Sequence, residues 1–210
     1  GDVSVIGGSE NDMQVLAGIL QPTIDALTSL GINKIILATH LQQIAFEKEL
    51  IGLLSGVDIV LAGGSDVLFA QQDDVLRDGD SAEDVYPFET TNADGDPAVI
   101  VGTDGEYSYL GRLIVEFDSM GKLVPSSLNN PESGVYASLP QVVDVVWGNE
   151  DPFATGTKGE LVQRLTKAVE GIVTAQDGNV FGQTTVFLDG RRSQVRTEET
   201  NLGNLTADAN

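Results

Sequence analysis

Two short apolar runs enclose a helix-like segment, and this constrains the fold more than any other feature. Lys34-Ile-Ile-Leu-Ala-Thr39 is continuous and apolar, as expected of a strand buried on both faces. A helical pattern follows from Ile44 to Ser55, Gly56 ends it, and Val57 to Leu61 form a second apolar strand. Strand, helix and strand within so few residues make a βαβ unit, so the two strands are expected to be parallel. Sites in such sheets gather at the carboxyl ends of the strands. His40 comes directly after the first strand and Gly63-Gly-Ser-Asp66 directly after the second, so the two are expected to be neighbours.

The remaining pattern extends this to an α/β chain. Leu16, Ile19, Leu20, Ile24, Leu27 and Leu30 recur at helical steps between Asn11, an expected cap, and Gly31. Pro22 predicts a kink or a break there. Residues 71–96 hold nine carboxylates against one arginine and read as a solvated acidic loop. Within it, Asn92-Ala-Asp-Gly-Asp96 has some of the character of a calcium loop. It lacks the spacing and the closing Glu, and reads as a turn. Strands are expected at 98–102 and 109–117. A turn at Asp118-Ser-Met-Gly121 then leads to a hairpin partner at 122–124. A short helix is expected at 139–147. A long one at 158–176, with Leu161, Leu165, Val169, Ile172 and Val173 on one face, would run roughly 28 Å. An Asp177-Gly-Asn turn, a strand at 184–188, the arginine segment and an apparent helix start follow.

Charge narrows the function. At a net −21 the chain repels nucleic acid polymers and anionic membranes over most of its surface. No apolar run is long enough to span a bilayer. With no cysteine, disulfides and thiolate metal sites are excluded. The acidity reads as marine, halophilic or extracellular adaptation, or as cation binding. Gly1-Asp-Val-Ser reads as a cut edge, compatible with a removed secretion signal and an extracellular or periplasmic place. Against this background, Arg191, Arg192 and Arg196 make a cationic spot suited to phosphate or carboxylate oxygens. Pairing with Asp189, Glu198 or Glu199 is the competing use of these arginines. His40 is the single histidine, and imidazole is a common ligand of borderline divalent metals.

Several stretches together resemble the calcineurin-like metallophosphoesterase core of 5'-nucleotidases. They are Ile35-Ile-Leu-Ala-Thr-His40, the acidic helix with Glu47 and Glu49, and Gly56-Val-Asp-Ile-Val-Leu-Ala-Gly-Gly64. Pro97-Ala-Val-Ile-Val101, Tyr107-Ser-Tyr-Leu-Gly-Arg-Leu113 and Phe117-Asp-Ser-Met-Gly-Lys122 resemble its later strands. The helix at 158–176 resembles its interdomain helix. Arg192-x-x-x-Arg196 with Glu199-Thr-Asn-Leu-Gly-Asn-Leu205 resembles the start of its nucleotide-binding domain.

The resemblance implies a mixed sheet flanked by helices, a long interdomain helix and the start of a second α/β domain. The boundaries it implies are 1–150, 151–178 and 179–210. It implies that His40 and Asp66 belong to the shell of a two-metal centre of divalent ions, and that Arg192 and Arg196 grip a nucleotide or other phosphomonoester. Gly64 stands where the family has a histidine, so one ligand is missing or replaced. The family's Asp-x-His and Asn-His-Glu or Asn-His-Asp motifs do not occur in residues 1–39. The chain therefore reads as an internal piece of a phosphohydrolase, inactive alone, whose sheet is completed by another chain or by the part that precedes it. Two other readings stand beside it: a non-catalytic surface, filament or assembly module that keeps the fold, and a calcium-stabilised module using the 71–96 loop.

Overall fold

In the computed structural model the described residues are 12–146, 148, 151–177 and 182–209, with only the backbone at 177, 192 and 193. They fall into two compact units, one ending at residue 150 and one beginning at 151.

The first unit is built on a four-stranded sheet. Its strands are β1 (Ile36–Thr39), β2 (Ile59–Ala62), β3 (Phe88–Thr91) and β4 (Pro97–Val101), in the order β1-β2-β4-β3. β1, β2 and β4 are parallel, and β3 is antiparallel to β4. The expected βαβ unit is present, with α2 (Ile44–Ile51) between the strands. β1, however, is not buried on both faces. It is an edge strand among the described residues, and Ile36 is 60% exposed. The fully covered strand is β4, where Ala98, Val99 and Ile100 are buried.

Two apolar layers sandwich the sheet, because alternate strand residues point to opposite faces. Val60, Ala98 and Ile100 join the layer made with α1 (Met13–Ser29) and α2, which includes Met13, Ala17, Ile24, Leu50 and Leu54. Ile59 and Val99 join the layer of Leu123 and Leu128. α1 runs unbroken through Pro22. Asn11 lies outside the described residues, and the cap is Asp12, whose carboxylate accepts from the Gln14 and Val15 N–H groups. Gly31, at φ +85°, closes the helix: its N–H donates to Thr28 C=O, and the Ile32 N–H donates to Leu27 C=O. Ile19 and Leu30, expected on the buried face, are exposed.

The acidic segment is more structured than a solvated loop. Tyr86 is a core residue, Asn92 is buried, β3 lies within it, and the core residues Leu68, Phe69 and Ala70 lead into it. Its carboxylates hold backbone N–H groups. Asp74 accepts from Gln71 and Val135, and Asp94 accepts from Gly56. The turn at 92–96 is confirmed: buried Asn92 accepts from the Asp94 and Asp96 N–H groups and donates to Val57 C=O.

β5 (Tyr109–Arg112) is shorter than the 109–117 strand expected, and its partner is β6 (Gly134–Ala137) rather than 122–124. The turn at 118–121 closes only a single bridge, Phe117 to Leu123. A 3-10 turn spans Pro125–Ser127, and α3 spans Pro140–Val146. Trp147 lies outside the described residues.

In the second unit α4 (Lys158–Asp177) starts at Thr157, whose hydroxyl accepts from the Glu160 N–H. Its apolar face, including Leu165 and Ile172, stays exposed. Gly178 and Asn179 of the expected turn lie outside the described residues. Residues 184–188 are not a strand. Asn201 instead ties this irregular segment to α6 (Asn201–Asp208), accepting from the Asp189 N–H and donating to Phe187 C=O. α5 is one turn, Arg192–Val195.

Asp58, from the Gly-Val-Asp stretch, is buried and accepts from the Ile35 N–H at 2.7 Å, fixing the start of β1. Burial holds its carboxyl above the ordinary 3.8, with the Ile35 bond pulling the other way. A raised native pKa means that this group's contribution to stability is full below 3.8 and is lost as pH rises through the raised value. Asp58→Asn keeps an acceptor for Ile35 and removes that loss. The urea midpoint of the wild type is therefore expected to fall relative to that of Asp58→Asn as pH goes from acid to neutral. A gap that stays constant with pH would contradict this.

Candidate functional site

The carboxyl ends of β1 and β2 meet as the topology requires. The Gly63 N–H donates to Thr39 C=O at 3.0 Å, which extends the parallel pairing by one bond and sets His40 beside Gly63 and Gly64. The imidazole packs against Gly64. A Cβ on that glycine would stand 2.7 Å from Cε1 and Nδ1 and 2.8 Å from Nε2. Similar distances to three ring atoms mean that the ring lies face-on over the backbone. Gly64, at φ +78°, is therefore the floor on which His40 rests.

Asp66 is exposed and has φ +51°. Its carboxylate reaches toward Gly105, whose Cβ position is 3.0 Å from Oδ1. Asp66 thus borders a cleft of ≈ 440 Å³, together with Asp80, Glu83 and Asp104. Asp80 is engaged there by the Tyr109 hydroxyl at 2.7 Å.

Beneath His40 lies Glu47, a residue that sequence reasoning named only as part of an acidic helix. It is fully buried on α2. Its Oε1 is 3.1 Å from Thr39 Oγ1 and 3.4 Å from the Leu41 nitrogen. Burial raises its carboxyl above the ordinary 4.5. The signal available in the sequence was a single acidic residue on the inner face of an amphipathic helix.

The arginine cluster is divided. Arg191 is held by Asp189 in a bidentate pair, with Nε to Oδ1 at 3.0 Å and Nη2 to Oδ2 at 2.6 Å. Arg191 is therefore in the structural pairing weighed from the sequence. Arg192 starts α5 and its side chain lies outside the described residues, while Arg196 caps the same turn and is exposed.

These residues do not make a metal centre by themselves. Among the described residues no three His, Asp, Glu or Cys side chains are grouped to hold an ion. His40 and Asp66 offer two donors, and a two-metal centre needs more. Among the described residues the 71–96 loop brings no three such side chains together for calcium either, and its 92–96 turn is engaged elsewhere. Asp94 is turned to Gly56, Asp96 to Lys122 at 2.6 Å, and Asn92 to its own turn.

In fold, this is an α/β chain of the 5'-nucleotidase type. It superposes on a 5'-nucleotidase precursor from Thermus thermophilus with a TM-score of 0.65 at 24% identity, covering 90% of this chain and 33% of that one. The NAD nucleotidase of Haemophilus influenzae gives 0.54 at 19% identity, covering 75% and 31%. In sequence the chain is similar to 5'-nucleotidases. Over 190 residues, 90% of its length, it is 32% identical to the Bos taurus 5'-nucleotidase and 31% to the Homo sapiens protein. It is 30% identical to the snake venom 5'-nucleotidase of Naja atra. The chain spans 29% of the two mammalian proteins and 32% of the venom protein. No family model matches. Among the described residues no helix is long and apolar enough to cross a membrane.

Proposed function

We propose that this chain is part of an extracellular or periplasmic metal-dependent phosphohydrolase that cleaves phosphomonoesters of nucleotides. In this reading residues 1–150 are the C-terminal part of its metallophosphoesterase-like domain, 151–178 the interdomain linker and 179–210 the start of its substrate-binding domain. The observation that carries it is the similarity to 5'-nucleotidases over 190 residues, with His40 held at the carboxyl end of β1 against Gly64. His40 and Asp66 supply part of a metal shell whose other ligands come from outside the described residues. The chemistry that divalent ions would supply there is a water activated at neutral pH. Arg192 and Arg196 hold the substrate's phosphate by charge-assisted hydrogen bonds. The open β1 edge is covered by further strands of the same protein or by another chain. The chain alone does not turn over substrate.

The test is phosphate release from nucleoside monophosphates by the intact protein that carries this chain, with and without added zinc or manganese. Metal-dependent release is expected, and His40→Ala is expected to lower it by at least about 100-fold. No release under any metal condition sinks the enzyme reading. It would then favour a non-catalytic module, the reading supported by Gly64 and by the lack of a three-ligand group among the described residues.

A further inference from the structure

We propose that Glu47 is a positioning residue for His40, clamping the backbone on both sides of the imidazole. Its burial is costly. A carboxylate with no exposed surface is unfavourable unless it is paired or hydrogen-bonded. Glu47 satisfies this only in part: Oε2 is buried without a hydrogen-bond partner. An apolar residue would fill the same place in the core at less cost. What an apolar residue would not do is accept hydrogen bonds.

Oε1 accepts from two groups that flank His40, the Thr39 hydroxyl at 3.1 Å and the Leu41 N–H at 3.4 Å. Thr39 Oγ1 has one proton and two acceptors within reach, Glu47 Oε1 and the Leu61 carbonyl at 3.2 Å, so its bond to Glu47 competes with one to β2. Glu47 joins the end of β1 and the first residue after His40 in one arrangement. His40 lies in the middle of it, and its ring meets Gly64 from above. Gln42, two residues on, has φ +70°, so the chain turns sharply directly after the clamp. Without the Leu41 bond, nothing else described holds that N–H. Orientation of a ligating imidazole depends on such supporting bonds. This use of the clamp rests on the reading of His40 as a metal ligand, whereas the clamp itself does not.

This chain's single histidine makes the test direct, because its histidine ring signals in an NMR spectrum belong to His40 alone. The 210-residue chain is compared, metal-free, as wild type, Glu47→Gln and Glu47→Met. Gln retains an acceptor, while Met has similar length and none. In Glu47→Met the Leu41 amide is expected to exchange at least about tenfold faster and the His40 Cε1–H resonance to shift, with the amides of β4 unchanged. Glu47→Gln is expected to keep both at wild-type values. If Glu47→Met does not fold, Thr39→Val removes one arm of the clamp without touching α2, and is expected to shift the His40 resonance. An unmoved His40 signal in the folded acceptor-free variant overturns the proposal, as does a Gln variant that behaves like Met. The phosphate-release assay of the intact protein that carries this chain judges the other reading separately. Metal-dependent release left unchanged by His40→Ala would end the assignment of His40 as a ligand, and the metal-free comparison would stand.

Discussion

Replacing Gly64 with alanine is expected to push the His40 imidazole off its seat and to destabilise the first unit by about 2–3 kcal/mol. Two effects add. At φ +78° an L side chain is strained, at a cost of roughly 1–2 kcal/mol. The new methyl would also stand 2.7 Å from ring carbon and nitrogen, well inside contact distance. The ring is exposed and can swing away, so the damage should show first in its NMR signal and second in the urea midpoint. A variant with both unchanged would mean that the ring does not rest there in solution. Gly64→His meets the same barrier with a larger side chain. Restoring the residue the family resemblance places at this position is thus expected to displace His40 rather than to add a second ligand beside it.

Phe69→Ala, just ahead of the acidic segment, is expected to be a strongly destabilising truncation, costing about 3–5 kcal/mol. Phe69 is fully buried, and its ring centroid is 6.0 Å from that of Phe88 on β3. Lys48 Nζ lies 4.0 Å from the Phe88 ring and 5.7 Å from that of Phe69, and the same amine pairs with Asp84 at 2.9 Å. The backbone around Phe69 is bonded to Gly102, and Ala70 to Asp84 and Tyr86. One aromatic residue thus anchors residues 66–86 to the sheet. The variant should lose stability and also become open to proteolysis within that segment. A loss under about 1 kcal/mol would mean that the segment only lies on the surface.

The sequence showed the site better than the surroundings that shape it. Two apolar runs and a helix between them placed His40 beside Gly63 and Gly64 because parallel strands leave few alternatives. It could not show which way Asp66 turns, since that depends on a left-handed backbone at one residue. β3 and β6 were missed for a common reason: each is four residues long and set among turn formers, and its strand character comes from pairing with β4 or β5. In the acidic stretch, counting charges concealed the buried Tyr86 and Asn92, and carboxylates there such as Asp74 and Asp94 serve as acceptors for backbone N–H groups. At 184–188 the opposite error occurred. The apolar residues suggested a strand, but the structure holds them through the Asn201 side chain with no partner strand described. Arg191 was counted with its neighbours as a grip for anions, although Asp189, two residues earlier, already occupies it.

The β1 edge, open among the described residues, makes the solubility of this chain depend on pH by a different route from its stability. Acidification relieves the burial of the Glu47 and Asp58 carboxylates and removes the bonds that Asp84, Asp118 and Asp189 make as anions, so the effects on folding oppose one another. The same protons act in one direction on association, because they remove the negative charge that keeps one molecule's β1 edge away from the next. A buffer chosen from melting data alone is therefore no guide to keeping this chain in solution.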